Sequence, residues 1–282
     1  MGSGRWGWIV PDGLWELARP LLPPARVRPQ GGGVANIDDE AVFAAIIYVL
    51  VSGCAWRALP PWFGASKSTV HRRFAIWSRI GVWGRLHQKV LQLLDEQDLV
   101  DLSRAVVDSS HVRAKKGGEF AGPSPVDRGK PGSKMHVLSD ANGLPLRVGL
   151  SAAHIHDSLA LKPMLSHFHM GHESHAADSK PVRLHAGKAY DIPHLRRWLW
   201  GTRIGVRIAR KGIDSSERLG RRRWVIERTM SWLTGYRRLN HRYERRPGIY
   251  LAFLGLASAL CCYKRFLKLT ERAQERHAAG HL

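Results

Sequence analysis

A carboxylate directly follows a short apolar run near the middle of the chain. Ala105, Val106 and Val107 predict a buried strand, and Asp108 comes immediately after it. Open α/β sheets build their sites at the carboxyl ends of strands. Asp108 is therefore a candidate for an acid that binds a metal ion or transfers a proton, although many strands in proteins end in Asp without such a role.

A second carboxylate, Glu227, lies in a segment rich in arginine. When residues 217–237 are placed on a helix, the apolar stripe contains Val225, Ile226 and Leu233, and Glu227 lies outside it. A carboxylate between arginines is commonly a surface ion pair, and a catalytic acid is the other interpretation.

Four histidines form a third candidate, at His167, His169, His172 and His175. Their spacing could bind zinc or nickel. However, the run lies between predicted elements and has no carboxylate nearby in a fixed frame. A solvated loop is the simpler interpretation, and a metal hydrolase is the alternative.

Positive charge is concentrated around Glu227. Residues 193–246 contain 16 Lys or Arg against four acidic residues, with six tryptophans and tyrosines among them. Arginine forks match phosphate oxygens and aromatic rings stack on exposed bases, so this composition favours nucleic-acid binding.

The whole chain has the same bias. Its 282 residues include 44 Lys or Arg and 23 Asp or Glu, a formal net charge of +21. Such an excess points to a polyanionic partner, most often nucleic acid, while a generally basic proteome is the alternative. The 44% of hydrophobic residues suffices for a folded core and excludes wholesale disorder.

Cysteine use and hydropathy indicate a cytoplasmic protein that does not cross a membrane. Cys54, Cys261 and Cys262 form no C-x-x-C pair, which argues against structural zinc and a disulfide framework. The N-terminus lacks the pattern of a secretory signal. The longest uncharged stretches, 41–56 and 248–263, fall short of the roughly 20 residues that span a bilayer.

The first hundred residues predict an all-α domain of helix-turn-helix type. One helix is expected from about Asp38 to Ser52, ended by Gly53. Ser66 is a candidate N-cap for a second helix with an apolar i, i+4, i+7 stripe. Its other faces carry Lys67, His71, Arg72 and Arg73, which we expect to contact DNA. An ordinary amphipathic helix with a solvated basic face is the alternative.

After an acidic interlude at 95–101, the pattern changes to alternating short elements. Strands are predicted at 105–107, 134–138, 144–150, 182–186 and 204–209, and helices at 157–169, 192–200 and 217–237. This order predicts an α/β domain, a mixed sheet flanked by helices. The domains are then 1–100, 101–268 and a basic, disordered tail at 269–282.

Residues 117–132 contain five glycines and three prolines. We expect a flexible basic loop there, acting either as a linker or as a contact to DNA.

Several short motifs, in the right order, give the chain a family resemblance. They occupy 47–50, 53–60, 107–114, 133–136, 140–145, 156–158, 188–191, 223–228, 236–239 and 242–244. From about residue 11 to 268, the chain resembles the DDE transposases of bacterial insertion-sequence family five. The resemblance implies an RNase H-like catalytic domain behind a helical DNA-binding domain.

The resemblance also implies a chemistry and its partners. Three carboxylates would hold two Mg²⁺ ions, with Mn²⁺ as a substitute, for strand cleavage and transfer. Asp108 corresponds to the first metal-binding acid and Glu227 to the third. The expected partners are double-stranded DNA, as terminal inverted repeats and target DNA, and a second copy of the chain in a homodimer on DNA. The localisation implied is the nucleoid.

The second acid is missing. The family reads Ala-Asp-Lys-Ala-Tyr-Asp where this chain has residues 186–191, so Gly187 occupies the position of the aspartate. Asp191 could substitute only if the backbone shifted. We therefore expect an insertion-sequence transposase with impaired catalysis, and the alternative is a sequence-specific DNA-binding protein without catalysis.

Further basic residues complete the expected DNA-binding set. Besides the four on the N-terminal helix, they are Lys134, Lys188, Arg223, Arg228, Arg237 and Arg238.

Overall fold

A mixed β-sheet forms the centre of the structure, a computed structural model. It describes residues 4–24, 37–166, 181–213 and 216–279, with the backbone alone for 216–223, 273–274 and 276–279. The strands are β1 (Ala105–Ala114), β2 (Gly122–Pro123), β3 (Pro131–Ser139), β4 (Pro145–Ala152), β5 (Arg183–Ala186), β6 (Gly205–Ile208) and β7 (His241–Arg242). The helices are α1 (Leu14–Ala18), α2 (Asp39–Ser52), α3 (Lys67–Arg79), α4 (Val82–Asp95), α5 (Ser158–Ser166), α6 (Pro193–Gly201), α7 (Ser216–Thr234) and α8 (Pro247–Ala279).

The five main strands lie in the order β4-β3-β1-β5-β6. β1, β3 and β4 form an antiparallel meander, whereas β5 and β6 run parallel to β1. The parallel connections pass through helices, as parallel pairing requires. This order and these directions are those of an RNase H-like sheet, and they confirm the predicted fold class.

β1 is longer than the sequence predicts. The expected strand stops at Asp108, but in the structure it continues to Ala114. The cause is its two partners: parallel pairing with β5 ends at Val107, while antiparallel pairing with β3 continues as far as Arg113. Asp108 therefore lies inside β1, at the point where the parallel ladder ends.

Successive side chains of a strand point to opposite faces of the sheet, so the buried side chains form two cores, one on each face. Val107 and Ala186 face a smaller core that is formed with α5 and α6. Val106 and Val137 face a larger core that contains residues of α7, α8 and the N-terminal helices. The N-terminal helices and this face of the sheet thus share one continuous core.

The two predicted N-terminal helices are present with their expected caps. The Asp38 carboxylate accepts a hydrogen bond from the backbone N–H of Glu40, and Ser66 Oγ accepts one from Thr69 N. Gly53 ends α2 in the left-handed conformation. The connection from α2 to α3 spans residues 53–66 and includes two 3₁₀ turns, so it is longer than the short turn that we predicted. The tight connection is instead the one between α3 and α4.

The C-terminal helix α8 is a central core element. Tyr250, Phe253, Leu256 and Leu260 are fully or almost fully buried, and the helix packs against α3, α4 and β4. Its segment Pro247–Arg272 is long and apolar enough to span a bilayer by length and composition, but two-thirds of that apolar window (67%) is buried inside the structure. The helix continues to Ala279, into the predicted tail.

The glycine-rich segment 117–132 contains more regular structure than we predicted. Gly122 and Pro123 pair with Gly132 and Pro131 to form a short ladder beside β3. A chain reversal between the two strands is closed by Ser124 and Lys130, since Ser124 N donates to the Lys130 carbonyl.

A buried histidine joins the helical region to the sheet. His87 of α4 donates from Nε2 to the Pro145 carbonyl at the start of β4, at 2.7 Å. Burial lowers the pKa of His87 from 6.5 to about 4. The folded protein therefore keeps the ring neutral over a pH range in which the unfolded chain binds a proton.

The first prediction concerns pH. The stability that follows from the lowered pKa of His87 is complete above pH 6.5 and is lost as the pH falls towards 4. In urea unfolding, the native chain should lose about 2 kcal/mol more between pH 7 and 4.5 than the variant His87→Gln. An equal pH dependence of the two proteins would contradict this assignment. Burial also lowers the pKa of His136 to about 4. Because His136 is present in both proteins, its contribution to the pH dependence cancels in the comparison.

Candidate functional site

Asp108 and Gly187 lie side by side on neighbouring parallel strands. The β1–β5 register pairs Val107 with Ala186, so Asp108 and Gly187 are the next residues on each strand. Val107 and Ala186 point into the smaller core, and by alternation Asp108 and position 187 face the other side of the sheet. Asp108 is half-buried, and its Oδ1 accepts a hydrogen bond from Ser109 N at 2.9 Å.

Helix α7 covers this face of the sheet and carries Glu227. Ile226, the preceding residue, is fully buried and packs in the larger core that contains Val106 and Val137. Glu227 itself is exposed, off the apolar stripe, as predicted. The helix contacts β1, β3 and β5.

The residues following Glu227 dock α7 onto the β3–β4 turn. Arg228 Nη2 donates to the Asn142 carbonyl at 2.6 Å, and Thr229 Oγ1 donates to the Gly143 carbonyl at 2.7 Å. Gly143 has φ 87°, and a Cβ there would lie 2.9 Å from Thr229 Oγ1, so both conformation and space require glycine. The position of α7 on the sheet, and with it that of the Glu227 backbone, is thus tied to this turn.

A buried carboxylate holds the turn in shape. Asp140 accepts backbone hydrogen bonds from Asp101, Asn142 and Leu144 at 2.7–3.0 Å. Burial raises the pKa of Asp140 to about 6, against the opposing effect of these hydrogen bonds. The motif 140–145 is therefore a structural support for α7. An Asn-Gly pair such as Asn142–Gly143 indicates a turn, but no local signal in the sequence indicates the contact of that turn with Thr229.

The metal-ligand set is incomplete. In the described part of the chain, no three His, Cys, Asp or Glu side chains lie close enough together to hold a metal ion. Of the three positions that the family resemblance assigns to metal ligands, 108 and 227 carry carboxylates and 187 carries a glycine. The residues present therefore do not fit a two-metal centre. His167, His169, His172 and His175 lie outside the described residues.

The candidate substitute, Asp191, has other partners. One carboxylate oxygen accepts from Arg196 Nε at 2.7 Å and the other from Lys211 N at 2.8 Å. The Lys211 N–H and the Arg196 side chain hold the pKa of Asp191 below its usual value. Arg196 belongs to α6, on the opposite face of the sheet from Asp108, so binding the same metal would require Asp191 to leave both partners.

The basic residues that we expect to contact DNA differ in how exposed their side chains are to solvent. Lys67, His71, Arg72 and Arg237 are exposed, and Lys188 is half-buried in the turn after Gly187. On α3 the exposed basic residues lie opposite the buried Val70, Phe74 and Trp77, which confirms the predicted amphipathic helix. The side chain of Arg223 lies outside the described residues.

Four of these basic residues make internal contacts. Arg73 pairs with Asp39 and donates to the Ile37 carbonyl. Lys134 Nζ lies 2.7 Å from Asp157 Oδ1. The Arg228 guanidinium lies over the rings of Trp224 and Trp232, at 4.5 and 4.8 Å from their centroids. Arg238 pairs with Glu244 at 2.5 Å, and both side chains are less than 10% exposed.

Comparison with known proteins identifies the family. Residues 10–87 match the family described as putative transposase of the IS4/5 family, and residues 101–262, more than half of the chain, match the transposase DDE domain. The chain belongs to the IS4/IS5-type DDE transposases of insertion sequences. By family it is an enzyme, and the resemblance seen in its motifs is confirmed.

Individual relatives agree with this assignment. The chain is 37% identical over 167 residues to a putative transposase of insertion element IS402 from Burkholderia cepacia, covering 58% of this transposase and 77% of that protein. It is 40% identical over 119 residues to an uncharacterized 16.2 kDa protein of the same element, covering 42% and 81%. It is also 30% identical over 135 residues to a putative transposase of IS6501 from Brucella ovis, covering 45% and 95%.

Solved structures of a more distant transposase also align. A pre-cleavage Mos1 transpososome aligns at TM-score 0.29 and 10% identity, over 85% of this chain and 81% of that one. A Mos1 paired-end complex with Mn aligns at TM-score 0.26 and 12% identity, over 90% and 86%. At these TM-scores the superpositions do not relate individual residues.

The docking of α7 generates the second prediction. Thr229→Val removes the donor to the buried Gly143 carbonyl and should cost about 1–3 kcal/mol in urea unfolding. Thr229→Ser retains the hydroxyl and should be closer to the native chain. Amide hydrogen exchange at residues 142–144 should increase in the Val variant alone. Equal damage by Ser and Val would show that packing, and not the hydrogen bond, dominates.

The third prediction concerns the buried ion pair. Arg238→Met leaves the Glu244 carboxylate buried without its partner and should cost about 3–5 kcal/mol in urea unfolding. The double variant Arg238→Met/Glu244→Gln should recover much of that loss, because no uncompensated charge remains. A loss below about 1 kcal/mol in the single variant would be inconsistent with a structural role and would leave Arg238 available to DNA.

Proposed function

We propose that this transposase binds the terminal inverted repeats of its insertion sequence and is impaired in strand cleavage. Family membership supports the transposase function, and the exposed basic residues of α3 support DNA binding. A net charge of +21 would make that binding strongly dependent on salt. The bound state would be a homodimer, since two ends of the element must be brought together. The compartment would be the bacterial cytoplasm, on the nucleoid.

The observation that carries the proposed impairment is the position of Gly187. The register of β1 and β5 supports a site in which the side chain of residue 187 would lie beside Asp108, on the face covered by α7. A carboxylate there would be the shared ligand of a metal pair, and glycine offers no oxygen. The charge stabilisation that divalent metals provide is worth several kcal/mol, so losing the ligand should slow cleavage by about 10³-fold or more.

The same observation favours a second candidate function, sequence-specific DNA binding without catalysis. Such a protein would occupy the inverted repeats and compete with active relatives. It differs from an impaired enzyme in one property: it would remain inactive even in Mn²⁺ and even with the carboxylate restored.

Restoring the carboxylate tests both candidates. Gly187 has φ −72° and ψ 175°, an extended conformation that aspartate adopts without strain. We expect Gly187→Asp to nick DNA carrying the flanking inverted repeats in Mg²⁺ or Mn²⁺, at least about 10³-fold faster than the native chain. Gly187→Asn is the matched control, and Asp108→Asn in the Gly187→Asp background should abolish the gain.

The possible outcomes separate the candidates. Comparable cleavage by the native chain would mean that another carboxylate completes the site, and the proposed impairment would be wrong. If both proteins bind the repeats and neither cuts in Mg²⁺ or Mn²⁺, the non-catalytic function replaces the first candidate.

Metal binding provides a readout that does not depend on cleavage. Two carboxylates at 108 and 187 repel each other until a cation binds between them. Saturating Mg²⁺ or Mn²⁺ should therefore raise the melting temperature of Gly187→Asp by several degrees, and that of Gly187→Asn and the native chain by much less.

A further inference from the structure

A cleft lined with arginines opens on the sheet, outside the site described above. It has a volume of about 480 Å³ and is lined by Ser103, Arg104, Arg183, His185 and Arg207. We call these residues the arginine cleft. Arg104 precedes β1, Arg183 and His185 belong to β5, and Arg207 belongs to the edge strand β6. Among the residues that the structure describes, no Phe, Tyr, Trp, Asp or Glu lines it.

The arginine cleft lies on the same face of the sheet as Asp108. Val206 and Ile208 of β6, like Leu184 of β5, pack in the smaller core, so Arg183, His185 and Arg207 face the opposite side. Arg104, just before β1, lies four residues from Asp108, and Arg183, the first residue of β5, lies four residues from Gly187, just after that strand. At about 3.3 Å per residue, the cleft begins roughly 13 Å from the candidate site.

Within the part of the chain that the structure describes, no acidic side chain lines the cleft beside its arginines. Arg183 and Arg207 are exposed, and Arg104 is half-buried. None of the three forms an ion pair or a hydrogen bond with the described residues. Three guanidinium groups in one concavity repel each other and raise the local positive potential, which a bound anion would relieve. Guanidinium forks suit the paired oxygens of a phosphate group.

We propose that the arginine cleft binds the sugar–phosphate backbone of the DNA strand that runs away from the Asp108 site. This inference rests on the proposed DNA binding. At 3.4 Å per nucleotide, a separation of 13 Å corresponds to about four nucleotides. The described lining offers three guanidinium groups and no Phe, Tyr or Trp on which a base could stack, so the contact positions the strand and does not read its sequence. Sequence recognition is left to other surfaces, such as the exposed face of α3.

The test measures DNA binding by the full chain, which does not require cleavage. The triple variant Arg104→Ala/Arg183→Ala/Arg207→Ala is titrated by fluorescence anisotropy against a duplex carrying the inverted repeat, over a series of salt concentrations. The matched control is Arg19→Ala/Lys162→Ala/Arg197→Ala, which removes the same charge from exposed positions outside the cleft. Lys162 and Arg197 lie on α5 and α6, which cover the opposite face.

The cleft variant should lose at least about tenfold in affinity at low salt. The slope of log Kd against log salt should fall by about 2.7, or about 0.9 for each of the three lost phosphate contacts. The control should change by less than about threefold in affinity. Ethylation interference should locate the lost contacts at phosphates about three to five nucleotides from the end of the element. Arg207→Glu is a second variant on the edge strand, and circular dichroism melting checks that every variant folds.

Several results would overturn the inference. Equal losses in the cleft variant and the control would show a general effect of charge. If the native chain binds the duplex and the cleft variant binds equally well, the cleft is not a DNA site and the proposed function stands without it. If inorganic pyrophosphate binding, and not duplex binding, depends on the three arginines, the cleft takes small anions. If the native chain binds no DNA, the proposed function fails together with the cleft.

Discussion

The central constraint on the structure is the dual pairing of β1. Up to Val107 this strand is held by β5 on one side and β3 on the other. Beyond that residue the pairing with β3 continues as far as Arg113, and β7 pairs in parallel only at Arg113 and Ala114. Backbone N–H and C=O groups at such a point are no longer all used within the sheet, and the parallel neighbour turns away. The β1–β5 register pairs Val107 with Ala186 last. It therefore fixes Asp108 and Gly187, the next residues on each side, at the point where the two strands separate. Side chains alternate between the two faces of each strand. This alternation places Asp108 on the face that α7 covers and that carries the arginine cleft.

The second organising feature is the contact between α7 and the β3–β4 turn. A helix packed only by apolar side chains can slide or rotate by small amounts, whereas the hydrogen bonds of Arg228 and Thr229 to two consecutive carbonyls fix its register. Asp140 stiffens the receiving turn through three backbone N–H groups. A residue next to Glu227 in sequence can therefore hold α7 in place on the sheet. Arg228 illustrates this, because its guanidinium lies between two tryptophans and a carbonyl.

The basic residues of the chain fall into two groups, those that are buried and paired within the fold and those that are exposed. The first group is structural: Arg238 pairs with Glu244, and Arg242 is fully buried, where it donates to Ser133 Oγ and to the Glu244 and Arg245 carbonyls. Other basic residues are exposed, among them Lys67 and Arg72 on α3 and Arg183 and Arg207 in the arginine cleft. A count of basic residues cannot separate the two groups, because burial of an arginine depends on acceptors contributed by distant segments.

The sequence by itself determined the family, the fold class and most helices and strands, and it shows a glycine at 187 where the family resemblance implies an acid. Local signals sufficed there: apolar periodicity marks helices and strands, Asp38, Ser66 and Gly53 mark helix ends, and ordered motifs mark the family. Only the tertiary structure decided the full length of β1, the course of the α2–α3 connection, the commitment of Asp191 to Arg196, and which arginines are free to meet a ligand. These properties depend on partners far apart in the chain, such as β3 for β1 and the Asn142 carbonyl for Arg228. No local pattern encodes which distant backbone group a side chain will meet, so only the folded chain can specify it.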